Sequence, residues 1–242
     1  EKKKIVFRSI LPTLNRDKVA LKHVMNAING EFPVKYSCAT GYGRKSFPDA
    51  EIIKTEINCA AVGVNEFYEG PKNILDLVGE DIKIIHCDEM GRVENFYLND
   101  KCAAGTGAFL VEIAERAGID IREMSMLAQQ SNYNQELNSF CTVFAKTEIM
   151  KWLFDGVTIE NLAKGIYLSI AQRIAKMRIR QELPFYMIGG VIAHHPYLKD
   201  ILQDKFGIEV QIMEQPQHMV SFGAALIAKE HFEKQVLASS TN

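Results

Sequence analysis

The 242-residue sequence is poor in cysteine, and none of its five (Cys38, Cys59, Cys87, Cys102, Cys141) forms a Cys-x-x-Cys pair. An odd, widely spaced set excludes a disulfide framework and fits a reducing, cytoplasmic compartment. No apolar run approaches the ~20 residues that cross a bilayer, and no signal peptide is expected at the start. Charge of either sign is in short surplus: the formal net charge of −2 argues against a general nucleic-acid or membrane-surface binder. Repeats and low-complexity tracts are absent. The opening Glu1-Lys2-Lys3-Lys4 has no Met, which leaves a longer parent protein open.

What is present reads as α/β. Lys4–Ile10 and Val34–Ala39 are expected as strands, and Asp17–Asn29 as an amphipathic helix with Gly30 beyond its end. Glu51–Val62 reads as short and helical. Asn73–Val78, Ile82–Cys87 and Arg92–Leu98 read as a three-stranded meander. Helices are expected over 108–117, 120–130, 142–155 and 159–181, the last with a solvated basic face. A strand at Phe185–Ile188, a Gly189-Gly190 turn, a helix at Pro196–Phe206, a strand at Ile208–Met213 and a helix at Ser221–Gln235 complete the chain. The change from strand–helix alternation to a meander suggests two domains, 1–72 with 221–242 and 73–220.

Two stretches could carry chemistry. Asp76-Leu77-Val78-Gly79-Glu80-Asp81-Ile82-Lys83 places two aspartates and a lysine around a tight turn. Carboxylates there can hold Mg²⁺ while Gly79 lets backbone amides approach a phosphate; a plain charged hairpin is the alternative. Asn99–Gly107 then runs through Cys102 and the small residues Gly105-Thr106-Gly107 into a helix. Free amides and the helix dipole suit an anion at such a place, either a phosphate or a thiolate-held metal cluster; close packing alone would also explain it. Cys141 stands before a second helix, where a thiolate is favoured. Two thiolates do not complete an iron–sulfur site, but a two-fold dimer would supply two more. Otherwise each cysteine is a small buried hydrophobe. His194 and His195, beside Pro196, read as exposed loop residues rather than metal ligands.

Six segments together carry a resemblance: Asn-Asp-Lys-Cys-Ala-Ala-Gly-Thr-Gly at 99–107, Cys-Thr-Val-Phe-Ala at 141–145, Ala-Thr-Gly-Tyr-Gly-Arg at 39–44, Thr-Glu-Ile at 55–57, Gly-Gly-Val at 189–191 and Gly-Ala-Ala-Leu-Ile-Ala at 223–228. The chain resembles the ATPase family of 2-hydroxyacyl-CoA dehydratase activators and benzoyl-CoA reductase ATPase subunits. The resemblance implies an actin-like, sugar-kinase-like two-domain fold with ATP or ADP and Mg²⁺. It implies catalytic roles for Asp76 and Asp81, and nucleotide contacts at Gly79, Glu80, Lys83, Gly105, Thr106, Gly107, Gly189, Gly190 and Gly223. It also implies a homodimer or pseudo-symmetric heterodimer sharing one 4Fe–4S cluster on Cys102 and Cys141 of each subunit. Reduced ferredoxin or flavodoxin would donate the electron, and an acyl-CoA dehydratase or reductase would receive it. The family's opening Asp-Gly-Ser phosphate loop has no counterpart here, and its usual Gly-Gly-Gln-Asp turn reads Val78-Gly79-Glu80-Asp81. A nucleotide-binding regulatory module without productive hydrolysis, and a small-molecule kinase, are the alternatives.

Overall fold

A computed structural model describes residues 5–11, 18–47, 49–99, 103–138 and 141–240. The chain divides into two units, one made of 1–54 and 224–242 and the other of 55–223. In the first unit, α1 (Lys18–Glu31) runs through Gly30 rather than stopping before it. Strands β1 (Cys38–Ala39) and β2 (Ile52–Ile53) pair in parallel, with a 3-10 turn at Tyr42–Ser46 between them. Only the last two residues of the expected strand Val34–Ala39 find a partner. Residues 5–11, exposed along their length, form no strand where Lys4–Ile10 was expected. Glu51 ties the segment together: its carboxylate accepts from the Ser37 amide at 2.7 Å and hydroxyl at 2.6 Å.

The second unit is built on one sheet. Thr55 caps α2 (Glu56–Asn65), its hydroxyl accepting from the Asn58 amide at 3.3 Å. Then come β3 (Lys72–Leu77), β4 (Ile82–Cys87) and β5 (Val93–Leu98), the expected antiparallel meander. Helices α3 (Gly107–Ala117), α4 (Met124–Gln129), α5 (Thr142–Phe154) and α6 (Ile159–Ala175) follow. Strand β6 (Phe185–Ile188), short helix α7 (Gly190–His194), helix α8 (Leu198–Phe206), strand β7 (Val210–Ile212) and the start of helix α9 (Met219–Ser240), which from 224 on belongs to the first unit, complete the second unit. The sheet order is β5-β4-β3-β6-β7, with β6 and β7 parallel to β3. Among the described residues no helix is long and apolar enough to cross a membrane.

Strand alternation divides the core in two. Leu75, Leu77, Ile82, Ile84, Phe185 and Met187 face α3, α4, α5, α6 and α8. Ile74, Ile85, Tyr186 and Ile188 face α2 and the start of α9. Burial on both faces explains why apolar residues stand side by side in these strands, Ile74-Leu75 in β3 and Ile84-Ile85 in β4. Because α2 packs on that sheet, the division falls at 54/55, whereas the meander's start had suggested 72/73.

Helix α6 is shorter than the helix expected over 159–181. It ends at Ala175, and Leu162, Ile166, Tyr167, Ile170 and Ile174 are buried in the core. Two buried side chains on paired strands stop it. Asn73 donates to the Arg180 carbonyl at 2.8 Å and accepts from the Arg180 amide at 3.1 Å, while His86 Nε2 meets the Arg178 carbonyl at 2.9 Å. A continuing helix would need those same backbone groups for itself.

Helices α2 and α9 cross with their backbones touching. A Cβ on Gly223 would stand 1.8 Å from the Cys59 carbonyl oxygen, and one on Gly63 would stand 2.4 Å from that of Met219. Gly223→Ala should therefore destabilise the fold by about 1–3 kcal/mol or more, read as a lowered urea midpoint with unchanged slope.

Candidate functional site

Strand register builds the polar end of the sheet. Asp76 on β3 lies opposite Lys83 on β4 and beside Ile188 on β6. Both side chains are almost wholly buried, with Lys83 Nζ 3.4 Å from Asp76 Oδ2. The Lys83 ammonium also donates to the Asp81 carboxylate across the turn. Asp76 Oδ1 is buried with no hydrogen-bond partner. Burial pushes the Asp76 carboxyl pKa up, against the pull of Lys83. Burial acts to lower the Lys83 pKa, but Asp76 and Asp81 together outweigh it and hold the ammonium charged.

Gly189 closes this end. Its φ of 105° is a left-handed conformation, and a Cβ there would lie 2.2 Å from the Leu77 carbonyl oxygen and 2.9 Å from Asp76 Oδ1. Only glycine fits. The expected Gly189-Gly190 turn is thus the lead into α7, with the Gly189 amide donating to the Pro216 carbonyl at 3.0 Å.

The start of α3 docks on the β3–β4 turn. The Gly107 amide donates to the Val78 carbonyl at 3.0 Å and the Ala108 amide to the Gly79 carbonyl at 2.7 Å. Two of the amides expected to be open for an anion are therefore engaged. A Cβ on Gly107 would meet Gly79 Cα at 3.0 Å, so the small residue serves close approach. Thr106 turns its hydroxyl back onto the Ala103 carbonyl at 2.5 Å. Gly105, at φ 83°, admits the Arg173 side chain, whose Cδ would be 2.9 Å from a Cβ there.

Against this junction lies a cavity of about 600 Å³. Gly79 and Glu80 bound one side, and Gly190, Val191, His194 and His195 bound another. Val111 of α3 and Ile121 supply apolar wall, and Arg122, held by Asp120, stands at the rim. The structure thus gathers Asp76, Asp81, Lys83, Gly79, Glu80, Gly107, Gly189 and Gly190 around one junction.

Gly223 does not line this cavity; it lies within α9 against α2. Cys102 lies outside the described residues. Cys141 is an exposed free thiol at the N-cap of α5, followed by exposed Val143 and Phe144. Lys146 of α5 reaches Glu112 of α3 at 2.6 Å. Among the described residues no three His, Cys, Asp or Glu side chains are grouped to hold a metal ion.

One reading is overturned. His194 is exposed, but His195 is buried, its Nδ1 2.6 Å from the hydroxyl of fully buried Tyr167. Val191 and His195 are four apart on α7 and its cap, so both turn inward. Burial, with His194 adding to it, pushes the His195 pKa from 6.5 down to about 4.

Two outcomes are expected. Lys83→Met leaves Asp76 buried without its cation and should cost about 3–5 kcal/mol, which adding Asp76→Asn should partly restore, as read by denaturant unfolding. As pH falls, the unfolded chain protonates His195 first, at its ordinary value of 6.5, and the folded chain only near 4. Stability present above pH 6.5 is therefore lost between 6.5 and 4. Melting temperatures across that range should fall less steeply in His195→Gln.

Known proteins agree with this architecture. The activator of lactoyl-CoA dehydratase from Anaerotignum propionicum is 36% identical over 204 residues, 84% of this chain and 78% of that protein. The activator of the 2-hydroxyisocaproyl-CoA dehydratase from Clostridium difficile, solved with bound ADPNP, superposes with a TM-score of 0.79 at 32% identity, covering 88% and 82% of the two chains. Component A of the Acidaminococcus fermentans (R)-2-hydroxyglutaryl-CoA dehydratase gives 0.81 at 29%, covering 90% and 86%. The fold is the actin-like, sugar-kinase-like α/β type. With residues 20–228 matching its description, the chain belongs to the BadF/BadG/BcrA/BcrD ATPase family.

Proposed function

We propose that this chain is an ATP-dependent activator that delivers a low-potential electron to a partner acyl-CoA dehydratase or reductase. The observation that carries the reading is the buried Asp76 carboxylate, one oxygen unpartnered, beside the glycine-walled cavity. A nucleoside fits the apolar part of that cavity between Val111, Ile121 and Val191. Its phosphates would run past Gly79 and Gly189-Gly190 toward Asp76. Mg²⁺ keeps most of its waters and takes one or two carboxylates, which Asp76 and Asp81 can provide. Lys83 then pairs with the Asp76 carboxyl group and orients it.

The donor set around Cys141 suits a cluster shared between two copies. The thiol is exposed and sits where α5 presents its dipole, worth about 0.3–1 kcal/mol to a negative charge. Cys102 would join it, and the second copy would contribute the same pair. Bound there, a 4Fe–4S cluster supplies a one-electron centre of low potential. Val143 and Phe144 would shield that place from water once two copies meet. Reduced ferredoxin or flavodoxin is the electron source in this reading.

A second reading, nucleotide binding without turnover, is favoured by Glu80, whose carboxylate borders the cavity and opposes a triphosphate. Anaerobic reconstitution should give a brown protein with one cluster per two chains, colourless in Cys102→Ala and Cys141→Ala. ATP hydrolysis should fall at least 100-fold in Asp76→Asn. Iron-free wild-type protein after reconstitution would end the electron-transfer reading, and absent hydrolysis by cluster-loaded protein would select the second.

A further inference from the structure

Among the described residues, His195 is the one buried titratable side chain on the wall of the cavity that the proposed function leaves without a role. Its setting fixes its chemistry. Tyr167, fully buried in α6, places its hydroxyl 2.6 Å from His195 Nδ1, and the two rings meet edge to face at 5.8 Å and 79°. Burial raises the Tyr167 pKa far above the neutral range, so the phenol keeps its proton. The ring of His195 is likewise neutral at physiological pH. A buried phenol proton needs an acceptor, and Ser125 Oγ, its other neighbour, already accepts from the Tyr197 amide at 3.2 Å, which assigns Nδ1 as the acceptor and the phenol as the donor. Nδ1 accepts, and the ring's own proton must then sit on Nε2. Among the described residues no acceptor takes that Nε2–H, and the small exposed part of the ring belongs to the cavity wall.

We propose that His195 contacts the nucleotide: its Nε2–H, held as the donor by the Tyr167 hydroxyl, hydrogen-bonds an acceptor on the nucleoside, a ring nitrogen or a sugar oxygen. The proposal rests on the cavity being the nucleotide site. Tyr167 acts through His195 and is a positioning residue. It selects the tautomer, without which half of the ring's orientations would offer a lone pair to a lone pair. A histidine so fixed favours nucleosides that present an acceptor there and penalises those that present a donor or a C–H.

Calorimetric titration with ADP, together with ¹⁵N NMR of the histidine rings, tests it. Wild type should show His195 as the Nε2–H form. His195→Leu should bind ADP at least tenfold more weakly, while His195→Gln, whose amide can replace the donor, should stay within about threefold of wild type. Tyr167→Phe should mix the two tautomers in the spectrum and weaken ADP binding several-fold. One of the analogues lacking a single acceptor (1-, 3- or 7-deaza-ADP, 2′- or 3′-deoxy-ADP) should bind wild type about tenfold worse than ADP, yet His195→Leu equally well. An Nδ1–H ring in wild type, or unchanged ADP affinity in folded His195→Leu, overturns the proposal. Wild type that binds no ADP overturns both this proposal and the nucleotide reading of the cavity, whatever the NMR shows.

Discussion

A buried carboxylate is costly unless a cation answers it, and the second unit is arranged so that Lys83 answers Asp76. The pair exists because β3 and β4 are in register across a four-residue turn, which puts position 76 opposite 83 on the same face. Everything near it is shaped by that pairing. Gly189 must be glycine because Asp76 and the Leu77 carbonyl leave no room for a Cβ. The turn carbonyls of Val78 and Gly79, having no strand partners, take the first amides of α3. The sheet end, one helix start and one glycine corner thus form a single polar junction at the edge of an apolar core.

That junction also explains the composition of its neighbourhood. Small residues at 105 and 107 read equally well as an anion cradle or as a packing device, and Gly107 proves to do the second with respect to the turn. The glycines still matter to the cavity, since each removed side chain leaves backbone at its wall. Among the described residues that line the cavity, the polar side chains are few: Glu80, Arg122, His194 and His195.

Much of this was legible in the residues. The meander stood out because short runs holding Ile74-Leu75 and Ile84-Ile85 are bounded by turns at Gly79 and Gly91. The turn with its aspartates and lysine was legible because a local chain reversal fixes which side chains meet. What escaped was set from a distance. The end of α6 depends on Asn73 and His86, about a hundred residues earlier, capturing its backbone, and no local pattern near 176–181 announces that. Pro196 makes His195 read as a loop residue, although the four-residue spacing from Val191 marks an inward face. Strands β1 and β2, two residues each, are too short to leave a periodic signal.

The seating of α3 on the turn has a mechanical corollary. With Gly107 and Ala108 latched to Val78 and Gly79, the turn and the helix tip cannot slide past each other without breaking two backbone bonds. An 11-residue helix is a stiff rod about 16 Å long. A displacement of Glu80, next in the chain after the latch, would therefore have to carry the base of the rod with it. The Glu112–Lys146 ion pair, both partners half exposed, joins this rod to α5, the helix that Cys141 caps. A lever of this kind needs no hinge of its own, because its fulcrum is the polypeptide that greets whatever occupies the cavity.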